Sequence, residues 1–99
     1  MKKEIYLTIL YDYYGDLLSD KAKQYFENYY FLNLSLAEIS ENLGVSRNAV
    51  HKQLKLAFEK MEDYENKLQL YAKDEKLKKV LIHIEDKKLK KELEEILFK

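Results

Sequence analysis

The chain has no cysteine, no proline and no tryptophan, and only two glycines in 99 residues. Without cysteine there is no disulfide, no thiolate zinc site and no cysteine nucleophile, a pattern that suits a reducing compartment. Sheets need turns and turns draw on glycine and proline, so their scarcity excludes an all-β fold. With Gly15 and Gly44 as the only glycines, a glycine-rich phosphate loop is excluded as well. No run approaches the roughly 20 apolar residues of a membrane span. The start, Met1-Lys2-Lys3-Glu4 and a mixed aromatic stretch broken by Asp12, lacks the apolar core of a secretory signal. A cytoplasmic protein with no membrane insertion is expected. An excess of either charge is also lacking: 18 Lys+Arg balance 18 Asp+Glu, so any attraction to a polyanion has to be local. Only His51 and His83 remain as imidazole ligands, and no metal and no cofactor is expected.

What is present is a helical composition, 46% hydrophobic and 36% charged, in a chain long enough for one small core. Tyr6, Ile9, Leu10, Tyr13 and Leu17 fall at helical spacing and predict a first helix from about Lys3 to Tyr14, ended by Gly15. Ser19 is a candidate N-cap for a second helix, with Asp20 in its first turn and Asn33 marking its end. Nine of the thirteen aromatics lie in these two helices, from Tyr6 to Phe31. Aromatics that stack on bases usually stand on sheets, so these are expected in a core.

Ser35 and Glu38 stand at the spacing of a capping box, with Leu36, Ile39 and Leu43 turned inward. Gly44 follows where a helix end commonly takes a left-handed residue, Val45 can fold back over the turn, and Ser46 can cap a new helix. Helix, glycine turn and helix in this compass is the layout of a helix-turn-helix, whose second helix can enter the DNA major groove. That helix looks long, because Val50, Leu54, Ala57, Met61, Tyr64, Leu68 and Tyr71 alternate spacings of four and three. Such a seam can pack on the first two helices or pair with another chain, and a homodimer through the long helix is one expectation. From Lys73 the chain is nearly all Lys, Glu, Asp and Leu. Leu77, Val80, Leu81 and Ile84 predict one terminal helix face and Leu89, Leu93, Ile96 and Leu97 another, with a bend near Glu85–Lys88 and Asp86 as a cap.

The charge is unevenly spread. Residues 1–45 carry four Lys against seven acids, residues 46–60 four cations against one acid, and residues 61–99 ten of each. The one basic stretch is the start of the presumed recognition helix. Arg47, Asn48, His51, Lys52 and Lys55 lie off the Val50/Leu54 seam, where they could reach base edges or phosphates. Arg47 is the only arginine among the eighteen cations, and its planar fork suits a guanine or a phosphate. No Ser/His/Asp or paired-carboxylate arrangement stands out, His83 in the run Leu81-Ile82-His83-Ile84 is expected half-buried, and no enzyme is expected.

These residues also carry a resemblance. Leu10-Tyr11-Asp12-Tyr13-Tyr14-Gly15-Asp16-Leu17-Leu18-Ser19, Ser35-Leu36-Ala37-Glu38-Ile39, Gly44-Val45-Ser46-Arg47-Asn48-Ala49-Val50 and Asp63-Tyr64-Glu65-Asn66-Lys67-Leu68 resemble the YlxM-type family of small bacterial helix-turn-helix proteins, over roughly residues 5–72. The most specific parts are the aromatic first helix ending in Tyr14-Gly15 and the Tyr64-Glu65-x-Lys67-Leu68 end of the long helix. The resemblance implies a fold similar to the promoter-reading C-terminal domain of sigma factors, without a wing. It also implies a regulatory or accessory role in the signal recognition particle pathway, with that particle's components as partners. Ser46, Arg47, Ala49 and Val50 match the family's turn and recognition-helix start. Asn48 stands where the family leads one to expect Gln, and His51-Lys52 where it leads one to expect an aromatic and an acid, which makes this chain more basic there.

The reading is thus an all-α protein: a helix-turn-helix domain over residues 1–73 with a long recognition helix, and a C-terminal helical extension over 74–99. DNA is the expected partner, bound through Ser46, Arg47, Asn48, His51, Lys52 and Lys55. The alternative is an interaction module that binds the particle's GTPase or RNA without binding DNA.

Overall fold

The structure, a computed structural model, describes residues 1–98. Among them it is all-helical, with helices α1 (Lys3–Tyr14), α2 (Asp20–Tyr30), α3 (Leu36–Leu43), α4 (Arg47–Leu68), α5 (Leu70–Leu81) and α6 (Lys87–Phe98), and no strand. It divides into two compact units, the first ending at Gln69 and the second beginning at Leu70.

In the first unit the local signals set the helix ends. The Ser19 hydroxyl oxygen accepts from the Ala22 N–H (3.1 Å) and starts α2, while Asn33, at φ 56°, turns the chain after it. The capping box closes around α3: Ser35 Oγ accepts from the Glu38 N–H (3.1 Å) and Glu38 Oε1 from the Ser35 N–H (3.0 Å). At its other end Gly44 is left-handed (φ 66°), a conformation that costs any other residue. The Val45 N–H then donates back to the Ser40 carbonyl (3.1 Å), the Ser40 hydroxyl donates to the Val45 carbonyl, and Ser46 caps α4 through the Ala49 N–H (3.0 Å). Two adjacent caps with opposite tasks thus make the turn of the helix-turn-helix.

The buried face of α1 is Leu7, Leu10 and Tyr14, so of the face expected from spacing only Leu10 is buried, and Leu17 is 52% exposed. The rotation follows from the next turn. Gly15–Leu17 continue as one 3-10 turn that carries Leu18 inward, and Leu7, Leu10, Tyr14 and Leu18 share a core with Phe26, Ala57 and Met61. Gly15 is needed here for closeness rather than for a special dihedral: a Cβ on it would stand 2.9 Å from Tyr11 Cε2. The Tyr11 ring is itself stacked flat on Phe26, centroids 4.4 Å apart, which ties α1 to α2. A second core, Tyr25, Ile39 and Val50 with Leu36, Leu43, Val45 and Leu54 around it, clamps α3 and α4 onto α2.

The inward seam of α4 is therefore spent inside the unit: Val50, Ala57 and Met61 are buried, and the next residue in line is Glu65, 8% exposed. Its carboxylate accepts a 2.6 Å hydrogen bond from the Tyr14 hydroxyl, and Tyr64 stacks beside Tyr14 with centroids 5.9 Å apart. The seam was expected to run unbroken to Tyr71, but Gln69 turns left-handed (φ 55°) and ends the helix at Leu68. Past Glu65 the helix is less covered, Leu68 being 44% exposed.

In the second unit Asp86 starts α6, its Oδ1 accepting from the Lys88 and Leu89 N–H groups, both at 3.0 Å. Of the expected α5 face Leu81 is buried but Val80 is 62% exposed. His83, expected half-buried, is exposed, because α5 ends at Leu81 and His83 lies in the turn that follows.

Candidate nucleic-acid interface

The structure places Ser46, Arg47, Asn48, His51, Lys52 and Lys55 at the exposed start of α4. At roughly 100° per residue, the five from Arg47 to Lys55 fan over about 140° of the helix surface, centred some 120° away from the Val50/Leu54/Met61 seam. With Val50 fully buried and its seam clamped by Ile39 and Tyr25, that face is held rigidly outward. Ser46 differs from the other five: its oxygen is engaged as the N-cap acceptor, which leaves its hydroxyl hydrogen to donate to an anion at the helix N-terminus.

The basic face is short. One turn beyond Lys55 the same side of α4 carries Glu59 and Glu62, so the positive stretch covers only about 13 Å of helix. In helix-turn-helix docking the first helix crosses the DNA backbone, and here that helix, α3, carries Glu38 and Glu41 and no cation. Glu38 is already committed. The Ser35 backbone N–H, and then its side chain, hold the Glu38 carboxyl below its ordinary range. The cations this face presents are therefore Arg47, Lys52 and Lys55, with the hydrogen-bonding side chains of Asn48 and His51 beside them.

One feature had no signal in the sequence. A cleft of about 470 Å³ opens between α1, α2, α4 and the start of α3, and its walls combine Lys3, Tyr29, Tyr30 and Phe58 with His51 and Lys55 from the basic face and the acidic Glu59. Burial, then the neighbouring Tyr29 and Glu4, push the Tyr30 phenol up, and the Lys3 ammonium sits 5.3 Å from the centre of the Phe58 ring. These residues come from helices distant in sequence, so no spacing could announce them. Among the described residues no group of acids and histidines is placed to hold a metal ion, and no helix is long and apolar enough to cross a membrane.

A capped helix, a left-handed glycine turn and a second helix presenting its first turns to solvent define a helix-turn-helix protein. Residues 1–99 match the UPF0122 family model, described as "Putative helix-turn-helix protein, YlxM / p13 like", and the chain belongs to that family. It is 47% identical over 75 residues to a UPF0122 protein of Caldanaerobacter subterraneus, a match covering 76% of this chain and 64% of the relative. A UPF0122 protein of Thermoanaerobacter sp. is 44% identical over 73 residues, 74% of this chain and 62% of the relative. One from Halalkalibacterium halodurans is 40% identical over 81 residues, 82% and 74% of the two chains. The chain thus spans less than two thirds of the length of the first two relatives.

Proposed function

We propose that this protein is a non-enzymatic regulatory or accessory factor that binds DNA through the start of α4, acting in the cytoplasm within the signal recognition particle pathway that the family resemblance implies. The observation that carries the DNA reading is the exposed, rigidly mounted face of Arg47, Asn48, His51, Lys52 and Lys55 on the second helix of a helix-turn-helix. Arg47 and Asn48 sit in the first turn, the part that reaches base edges, while Lys52 and Lys55 lie further along, toward phosphates. Two phosphate-binding cations, Lys52 and Lys55, give a slope of about −2 in log affinity against log salt for each copy, so a single copy binds weakly. Titration of duplex DNA at several salt concentrations tests this. Arg47→Ala should cost about 1–3 kcal/mol at the preferred sequence and relax that preference, whereas Lys55→Ala should weaken all sequences alike and reduce the slope by about 1. Equal behaviour of the two variants would refute the assignment.

A second reading is favoured by the cleft, which sets Tyr29, Tyr30 and Phe58 beside Lys3, His51, Lys55 and Glu59. There the helix-turn-helix serves as a scaffold and the cleft takes a segment of the particle's GTPase or an unstacked RNA base. Tyr29→Ala, which leaves the start of α4 untouched, separates the two: it abolishes binding in this reading and spares DNA binding in the first. A second copy would strengthen either mode, though Val50, Ala57 and Met61 of the α4 seam expected to supply it are buried within the unit.

A further inference from the structure

The cleft of the first unit, at about 470 Å³, lies within the roughly 300–1,000 Å³ of small-molecule sites. Its deeper wall is apolar: Leu7 is buried, and Tyr30, Leu54 and Phe58 are half-buried. Its rim is exposed and carries Lys3, His51, Lys55 and Glu59, with Tyr29 beside them. Elsewhere the fold pairs its polar groups: the Tyr14 hydroxyl donates to Glu65, and among the described residues no buried side-chain nitrogen or oxygen lacks a partner. Around the cleft it does not. Among the described residues Lys3, Lys55 and Glu59 form no ion pair, and the hydroxyls of Tyr29 and Tyr30 form no hydrogen bond. The Tyr29 and Tyr30 rings meet edge to face with centroids 4.9 Å apart, so a flat ring entering beside them meets one of the two in a favoured geometry.

We propose that this cleft binds a planar aromatic carboxylate, its ring against Tyr29, Tyr30 and Phe58 and its carboxylate at Lys3 and Lys55, and that the bound ligand takes His51 and Lys55 away from DNA. The charge of the rim selects the anion. Two lysines against one glutamate leave a single positive charge in excess, which matches one carboxylate and disfavours a polyphosphate. A neighbouring cleft of about 620 Å³ shares Lys3, Tyr29 and Tyr30 but brings Glu4 and Glu38 to its walls, so an anion is drawn to the α4 side. The shape of the ligand follows from the walls, which are aromatic on both α2 and α4 and favour a flat ring over an aliphatic chain. Because the rim charges are exposed, each ammonium adds at most about a fivefold factor in affinity, and binding is weak. His51 and Lys55 line the cleft and also belong to the basic face of α4, so ligand and duplex compete, each lowering the affinity of the other by the same factor. The competition rests on the DNA reading above; the site itself does not.

Naphthalene-2-carboxylate and naphthalene-2-carboxamide, alike in shape and different in charge, test the site through the backbone N–H chemical shifts of the intact chain. The carboxylate should move the signals of Lys3, Tyr29, Tyr30 and residues 51–59 with a dissociation constant on the order of a millimolar or below, and the carboxamide should bind about tenfold more weakly. Lys3→Gln, which lies outside the DNA face, should weaken the carboxylate by about two- to fivefold and leave the carboxamide unchanged, whereas Tyr29→Ala should weaken both. Lys3 and Tyr29 are exposed, so neither substitution threatens the fold. Duplex DNA should be displaced as the carboxylate fills the cleft, and Tyr29→Ala should remove most of that displacement while DNA still binds. Equal binding of carboxylate and carboxamide, or shifts spread over exposed apolar residues such as Ile82 and Ile96, would overturn the site. A carboxylate that fills the cleft without weakening DNA binding would overturn the competition. A chain that binds no DNA would refute the DNA reading and the competition with it, and the chemical shifts would still decide the site.

Discussion

The hydrogen bond from Tyr14 to Glu65 joins the end of α1 to the end of the buried part of α4, across 51 residues of chain. At 2.6 Å it falls in the range of a hydroxyl bonded to a carboxylate, and Tyr14 is fully buried while Glu65 is 8% exposed. Tyr14→Phe removes one oxygen and little volume, but it leaves a nearly buried carboxylate short of a donor. The expected cost is about 2 kcal/mol, within the range for bonds to charged groups. For a folding unit of 69 residues that corresponds to roughly 8–16 °C in Tm. Both side chains have further interactions, so the single variant does not isolate the bond. A double-mutant cycle does. Glu65→Met removes this acceptor from the hydroxyl instead, and the double variant removes both ends of the bond together, so its cost should fall short of the sum of the singles by at least about 1 kcal/mol. Urea unfolding followed by circular dichroism, with the denaturant slope unchanged, measures all four proteins. A Tyr14→Phe cost below about 0.5 kcal/mol, or a strictly additive double variant, would refute the view that this bond holds α1 on α4.

Three other outcomes follow from the helix ends and the aromatic core. Gly15→Ala should destabilise by about 1–3 kcal/mol, because the new methyl meets the Tyr11 ring at 2.9 Å and that ring is stacked on Phe26; Tyr11→Ala in the same background should recover part of the loss. Burial first, then Glu27 and Asp16, push the Tyr11 phenol up to about 12. With the folded value raised, its contribution to stability is complete below the ordinary tyrosine pKa of about 10 and is lost as pH rises through about 12. Tyr11→Phe should therefore remove a component near pH 12 from the phenolate absorbance titration. Glu38 runs the other way: its pKa is lowered, so the capping box stabilises α3 above the ordinary carboxylate value and fails as pH falls through the folded one. Glu38→Gln should flatten that acid limb, and Ser35→Ala should cost about 1 kcal/mol at neutral pH, both read from thermal unfolding.

The parts legible in the sequence were those whose cause is local. Ser19, Ser35 with Glu38, Gly44, Ser46 and Asp86 each perform the capping task their position suggests, because a cap involves partners within five residues. Faces were less legible. The α1 face was read one residue out of register because Tyr6, Ile9 and Tyr13 obey the same period as Leu7, Leu10 and Tyr14, and the 3-10 turn that decides between them lies outside the helix. The α4 seam carried no signal of ending, since the loss of covering past Glu65 is a tertiary fact. The specific weight of Tyr14-Gly15 and Tyr64-Glu65 was visible only by resemblance, and the structure supplies its physical reason: a buried hydrogen bond, a ring stack and a close glycine. At the candidate site, the basic face of α4 was legible from charge and period, whereas the cleft formed by Lys3, Tyr29, Tyr30 and Phe58 beside it was not.

The most direct measurement is the binding of the intact protein to fragmented genomic DNA, run beside the signal recognition particle's RNA and GTPase, at low and physiological salt with Arg47→Ala as the control. The account predicts micromolar or tighter selection of particular fragments, lost in Arg47→Ala and weakened by salt with a slope of about −2 per copy. Binding to the particle's components alone, undisturbed by Arg47→Ala, would contradict it.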